Sequence, residues 1–326
     1  MIFETKVLII SFVVSIILGF TIIPILKKMK VGQIERDDGP QSHLKKQGTP
    51  TMGGIILIIT MILVVTGTYV YLTINNQSEL ANKILPILLL TIGFGLIGFI
   101  DDFKKLVLKN TKGLKPSYKM IGLLIISVAY VVYLVYGLKL GTDTYIPIWK
   151  NYIQIPVYLY IPFAIIVILG ATNAVNLTDG IDGLSSSVCA IIITCLAIIG
   201  ISLKIYEVSI FASIVIGSVL GFLMFNLHPA KVFMGDTGSL MLGGVISGLA
   251  LYLKMPLLLL VIALVPVLET ISVIIQVVYF KKTGDRFFKM APLHHHFELS
   301  GWKENKIVIV FSLVTLLMSF IGLKVI

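Results

Sequence analysis

Four short runs in this chain gather residue types suited to phosphoryl chemistry. The first is Ile100, Asp101, Asp102 and Phe103, two adjacent carboxylates that close an apolar stretch, with Lys104, Lys105 and Lys109 just beyond. Neighbouring acids repel unless a cation or basic group intervenes, and at a helix C-terminus they also oppose the helix dipole. Plain interfacial charge is the alternative reading of the pair. In the second run, Asn173, Asn176, Asp179 and Asp182 recur every third residue, and Gly180 and Gly183 each follow an aspartate. That spacing lines one side of a helix end or tight loop with amide and carboxylate oxygens, and the glycines admit a ligand or another backbone. The third run, from Asn226 to Ser239, holds His228, Lys231, Phe233 and Asp236. Asp236 could cap the helix that follows it, although a cap explains none of the flanking groups. Carboxylate oxygens there suit Mg2+, which keeps waters and binds through one or two acids together with substrate phosphates. The fourth run contains His294, His295 and His296. Zinc sites normally draw on spaced ligands, so these imidazoles are read as donors to phosphate oxygens.

The elements that must position these runs belong to a chain built for lipid. Of 326 residues, 57% are hydrophobic and 13% charged, with a mean hydropathy of +1.01. Soluble domains carry about a quarter charged residues. Disorder, a coiled coil and a secreted disulfide scaffold are excluded, and Cys189 and Cys195, six apart in one apolar run, read as buried thiols. A bilayer core about 30 Å thick needs about 20 apolar residues as helix. Such runs lie near 6–26, 52–74, 84–100, 120–138, 158–175, 185–203, 208–226, 237–253, 256–280 and 306–324. They predict an all-α polytopic membrane protein of about ten transmembrane helices. A β-barrel would show short alternating segments instead. Residues 139–157 predict a small external hairpin, and Pro256, Pro266 and Glu269 predict a bent or broken ninth helix. The first run lacks a basic leader and a cleavage pattern, so it is expected to remain as a helix.

Ten helices place alternate loops on opposite sides. Nineteen of the 26 Lys and Arg fall in one set of loops: 27–50, 101–119, Lys231 and 281–306. The positive-inside rule makes that set cytoplasmic and both termini external. Acids do not drive that rule, yet eight of nine aspartates and all five histidines share the same side. Longer loops hold more polar residues in any case, but a site built at helix ends on one membrane face accounts for the types as well. Gly93, Gly95 and Gly98 formally match G-x-G-x-x-G, but they lie inside an apolar span and are read as packing positions. Gly48 to Gly54 lacks the lysine of a P-loop; its backbone N–H groups, beside Lys45 and Lys46, are expected to face an anion. A transporter is the competing class. It calls for ionisable groups near mid-membrane and repeated halves, whereas only Glu269 lies within a predicted span and no repeat is visible.

The motifs GTPTMGG (48–54), FIDDF (99–103), NAVNLTDGIDGL (173–184), FMGDTGSL (233–240) and PLHHHFE (292–298) span most of the chain in order. They resemble those of the polyprenyl-phosphate N-acetylhexosamine-1-phosphate transferases. GTPTMGG and PLHHHFE further resemble the bacterial peptidoglycan branch, the phospho-N-acetylmuramoyl-pentapeptide transferases. The resemblance implies one Mg2+-dependent integral membrane transferase domain over 1–326, in the bacterial cell (inner) membrane, with its active site facing the cytoplasm. It implies transfer from UDP-MurNAc-pentapeptide to undecaprenyl phosphate, giving lipid I and UMP. Membrane lipid surrounds such an enzyme, a homodimer is left open, and nucleic acid is not expected. A UDP-GlcNAc:undecaprenyl-phosphate GlcNAc-1-phosphate transferase is the alternative.

Residue by residue, the resemblance implies Asp236 as the Mg2+ ligand and Asp101 orienting or deprotonating the acceptor phosphate, with Asp102 assisting. Asn176 and Asp179 would hold the metal–phosphate assembly or the nucleotide, and His295 would join the catalytic set. His294 and His296 would contact donor phosphates and sugar, Lys46, Lys105 and Lys109 would neutralise charge, and Phe233 would stack on uracil. Thr51 and Asn226 complete the expected substrate-binding set. One-step transfer and a covalent aspartyl intermediate both remain open.

Overall fold

The computed structural model describes residues 2–29, 48–108 and 113–326. Lys46 and Lys109 therefore lie outside the described residues. The apolar runs fold as helices: α1 (Ile2–Lys28), α2 (Gly54–Ile74), α3 (Ser78–Leu106), α4 (Pro116–Val132), α5 (Val157–Thr178), α6 (Leu184–Ser202) and α7 (Tyr206–Asn226). After them come α8 (Gly235–Tyr252), α9 (Leu259–Ile262), α10 (Leu264–Thr283), α11 (Leu293–Glu298) and α12 (Glu304–Lys324). Among the described residues, nine helices are long and apolar enough to cross a membrane. The remaining expected run is α8, whose apolar character is diluted by glycines and serines and which is buried from Thr237 to Tyr252. The protein is an all-α, multi-pass membrane protein.

The two predicted irregularities are present. The ninth run starts as a short 3-10 turn over Pro256–Leu258, continues as α9 and breaks at Ala263 before α10. Pro266 falls in the first turn of α10, where its missing N–H leaves no hydrogen bond unmade. The segment after α4 forms an antiparallel hairpin, β1 (Asp143–Ile146) with β2 (Asn151–Gln154), in which Tyr145 faces Tyr152.

Lipid tails are as apolar as leucine, so helices associate through close backbone approach and hydrogen bonds rather than by escaping water. The contacts follow that logic. α1 packs along α7, and α3 and α5 pack along α8. Ser15 Oγ donates to the Ser218 carbonyl (2.8 Å) and Tyr130 Oη to that of Gly248 (2.8 Å). Ile9, Val13, Ile17 and Phe20 of α1 face outward, as lipid-contacting residues should. Both cysteines are buried and unpaired. The span glycines do serve packing: Gly95 lies against Ile58 and Gly93 against Ile126. At Gly98 a Cβ would overlap the Asp236 carbonyl, and at Gly54 it would overlap the backbone of Gly238. These two contacts draw the ends of α2 and α3 onto the start of α8, where the site is assembled.

Candidate active site

The start of α8 is the pivot. Gly235 takes a left-handed φ of 73°, which glycine adopts without steric cost. A Cβ there would also press on Asp102 Oδ2 and Thr51 Oγ1. The first N–H groups of a helix lack partners within it, and here they are capped from another helix. Asp102 Oδ1 accepts from Asp236 N (3.2 Å), while Oδ2 accepts from Thr237 N (2.9 Å) and Thr237 Oγ1 (2.6 Å). Asp236 is thus not the cap, contrary to that reading of its position, and its carboxylate is free to face the site. Asp102, expected to assist at an acceptor phosphate, instead uses both oxygens to tie α8 to α3.

Asp236 meets Asp101 across two lysines. Lys105 Nζ lies 2.7 Å from Asp101 Oδ2 and 3.2 Å from Asp236 Oδ2. Lys119 Nζ lies 2.8 Å from Asp236 Oδ2 and 3.5 Å from Asp101 Oδ2. Asp101 Oδ1 accepts from Leu114 N (2.7 Å), and Asn176, on the last turn of α5, donates to Asp236 Oδ1 (2.9 Å) and Ser239 Oγ (2.8 Å). Asp179 follows directly at the end of α5. Burial, reinforced by the Asp236 and Asp102 charges, pushes its carboxyl up to about 8. Four helices therefore deliver Asp101, Lys105, Lys119, Asn176 and Asp236 to one place. Sequence reading singled out all of these except Lys119. It sits one turn into α4, 117 residues from Asp236, and no spacing pattern marks it.

The glycine-rich segment before α2 is zipped to the segment before α8. Phe233 N donates to the Pro50 carbonyl (2.8 Å), Gly53 N to Phe233 (2.8 Å) and Gly54 N to Met234 (2.9 Å). The expectation that these N–H groups face an anion is corrected at Gly53 and Gly54, whose donors are already engaged. The zipper holds Thr51 beside Gly235 and fixes the backbone of Phe233. Asn226 also differs from its expected role. Its amide is buried, donating to the Val232 carbonyl (3.0 Å) and accepting from Ser186 Oγ (2.8 Å), so it shapes the loop that carries Phe233.

The three histidines part company on the short helix α11. His294 is fully buried, with Nδ1 3.2 Å from Glu269 Oε1. His295 Nδ1 pairs with Glu298 (2.8 Å), and His296 Nδ1 accepts from Lys289 N (3.2 Å). His294 packs on the aspartate loop, its Nε2 against Gly180 beside Asp179. Nearby chemistry also gathers at Asp182, His228 and Glu304, whose ligand atoms lie within 4.8 Å of one another. Asp182 accepts from Ala230 N (3.0 Å) and lies 2.9 Å from His228 Nδ1.

Among the described residues, Asp182, His228 and Glu304 are the acids and histidine whose ligand atoms lie close enough to share one cation, whereas lysines fill the gap between Asp101 and Asp236. Asp101, Asp179 and Asp236 offer only carboxylate oxygen, which suits a hard cation such as Mg2+. The two ammonium groups between Asp101 and Asp236 show that this gap demands positive charge. The Asp182, His228 and Glu304 group mixes imidazole with oxygen, a set better matched to transition metals.

Comparison with known proteins agrees with this architecture. Residues 84–254 match the model of glycosyl transferase family 4, and residues 46–58 match phospho-N-acetylmuramoyl-pentapeptide-transferase signature 1. The chain is 46% identical over 318 residues to the phospho-N-acetylmuramoyl-pentapeptide-transferase of Acetivibrio thermocellus, covering 97% of this chain and 93% of that one. It is 48% identical over 316 residues to the enzyme of that name from Clostridium botulinum strain Alaska E43, covering 97% and 94%. The Halalkalibacterium halodurans enzyme is 47% identical over 316 residues, covering 97% and 95%. With carboxylates and lysines meeting at the helix ends and near-complete alignment to these relatives, the chain belongs to the phospho-N-acetylmuramoyl-pentapeptide transferases, membrane phosphotransferases of peptidoglycan synthesis.

Proposed function

We propose that the chain transfers phospho-MurNAc-pentapeptide from UDP-MurNAc-pentapeptide to undecaprenyl phosphate, forming lipid I and releasing UMP. In this reading residues 1–326 work as one unit in the bacterial inner membrane, and the aspartate-rich face is cytoplasmic. The Lys and Arg bias of the loops supports the orientation. The observation that carries the reaction is the pair of carboxylates, Asp101 and Asp236, bridged by Lys105 and Lys119 at the ends of membrane-embedded helices.

Attack of one phosphate on another crowds negative charge. Two unit charges 4 Å apart repel by about 4 kcal/mol at an effective dielectric of 20. Catalysis of phosphoryl transfer is accordingly positioning plus neutralisation. Asp236, with Asp101 and Asp179, would hold Mg2+, which when bound neutralises the pyrophosphate and polarises its bonds. Lys105 and Lys119 already stand at the gap and exchange a carboxylate for a phosphate oxygen when substrate arrives. Asp101, held by Leu114 N, orients the acceptor phosphate or takes its proton. Asn176 keeps Asp236 aimed, and Asp102 and Asn226 hold the backbone on which the site stands. Phe233 would offer its ring to uracil, Thr51 lines the same turn, and His294 would contact a donor phosphate or sugar oxygen, with His295 and His296, engaged by Glu298 and Lys289 N, beside it on α11. Lys46 and Lys109 would add positive charge.

Purified protein in detergent or nanodiscs, given undecaprenyl phosphate and Mg2+, should release UMP from UDP-MurNAc-pentapeptide and not from UDP-GlcNAc. Turnover of UDP-GlcNAc alone would assign the chain to the alternative reaction.

A further inference from the structure

Glu269 has no part in the chemistry described so far, yet it is among the most costly residues in the molecule to place. It lies on the second turn of α10 with no solvent exposure, and a lone acid in such surroundings is strongly disfavoured. Among the described residues its carboxylate has one hydrogen-bonding partner, His294, which is equally buried. Oε1 accepts from the His294 backbone N–H (3.3 Å) and faces its Nδ1 (3.2 Å). Two polar atoms of the pair remain without a hydrogen bond, Glu269 Oε2 and His294 Nε2.

The direction of that second nitrogen is informative. His294 Nε2 lies against Gly180, and a Cβ on Gly180 would overlap it. Gly180 follows Asp179, the carboxylate that ends α5 beside Asp236. A buried donor or acceptor without a partner costs about 1–3 kcal/mol, and such atoms in native proteins call for a reason. An acid on one imidazole nitrogen fixes where the hydrogen sits and how the ring points, so the other nitrogen is presented in a defined state. The His295 ring lies 4.2 Å away centre to centre, tilted by 58°, and packs against the His294 ring.

We propose that Glu269 is a positioning residue: from inside α10 it fixes the tautomer and aim of His294, so that Nε2 is presented at the Asp179–Gly180 turn to a phosphate or sugar oxygen of the donor. The inference rests on the donor site proposed above. It gives the buried acid of the broken ninth span a purpose, and it explains why glycine follows Asp179.

A double-mutant cycle on steady-state turnover tests it, with Glu269→Gln, His294→Gln and the double variant. Glutamine keeps an acceptor for the backbone N–H, so the fold should survive with an unchanged unfolding midpoint. The expected result for Glu269→Gln is a loss of about 10–100-fold in kcat, the range for groups that orient a functional histidine. KM for undecaprenyl phosphate should stay put, and the double variant should be no slower than His294→Gln alone. Multiplying losses, or wild-type kcat in Glu269→Gln, would overturn the proposal. Should Glu269→Gln unfold, Gly180→Ala provides a second route, since it displaces Nε2 without touching the acid. Its loss of kcat must vanish in the His294→Gln background, and persistence there counts against the idea. Wild-type protein that fails to turn over UDP-MurNAc-pentapeptide would overturn the proposed reaction instead, which keeps the two failures distinct.

Discussion

Asp102→Asn separates an acid that does chemistry from one that holds a helix. All three hydrogen bonds to Asp102 come from donors at the start of α8: Asp236 N, Thr237 N and Thr237 Oγ1. An asparagine supplies one oxygen. If that oxygen keeps the two shorter bonds to Thr237, its NH2 group is left facing the Asp236 N–H, donor against donor. A charge-assisted bond is worth about 1.5–3 kcal/mol, and the interaction of a carboxylate with a helix N-terminus adds roughly 0.3–1 kcal/mol. The substitution should therefore destabilise the protein by about 2–4 kcal/mol, because Asp102 is buried and water cannot substitute. Thermal unfolding of detergent-solubilised protein without substrate should show the midpoint falling by several degrees. Turnover should fall with it, since Asp236 rides on the same turn, and donor substrate should restore part of the lost midpoint. A variant that unfolds at the wild-type temperature yet has lost turnover would refute the capping assignment and return Asp102 to the chemistry.

Lys119→Met removes an ammonium group 2.8 Å from Asp236. Turnover should drop at least about tenfold, while Mg2+ binding to substrate-free protein, read by calorimetry, should tighten because the cation no longer competes with the lysine; weaker binding would contradict the arrangement. Asp179, with its carboxyl pushed from 3.8 up to about 8, holds its proton more tightly when folded than unfolded. The stabilisation from that proton is complete below pH 3.8 and disappears as pH rises toward 8. In metal-free buffer the wild-type unfolding midpoint should thus fall between pH 5 and 8, and Asp179→Asn should flatten that fall; identical slopes would count against it. Gly98→Ala drives a Cβ into the Asp236 carbonyl, which as backbone cannot yield, whereas Gly67 of α2 has open space around it. The first should destabilise by about 1–3 kcal/mol and lower turnover, and Gly67→Ala should leave both unchanged, as unfolding and UMP-release assays would show.

Much of this protein is legible along the chain because lipid imposes a local rule. Each span must satisfy its own backbone and bury about 20 apolar residues, so hydropathy marks the helices, while turn residues mark the hairpin within 139–157 and prolines mark the broken ninth span. The acids, lysines and histidines are equally visible as types, since they interrupt those runs. Their assignments to one another are not. Asp102 and Asp236 are 134 residues apart, Lys119 and Asp236 are 117 apart, and His294 and Glu269 meet only because α11 folds back onto α10. Nothing periodic in the sequence encodes such pairs. They arise when glycines at 54 and 98 let α2, α3 and α8 approach to backbone contact. Composition and spacing determined that this chain crosses a membrane and carries acids, lysines and histidines at the ends of its spans. Which of those groups caps a helix, which bridges two acids and which presents a bare nitrogen was decided by helix packing, because a side chain acquires its role from neighbours that only the folded state brings within 3 Å or so of it.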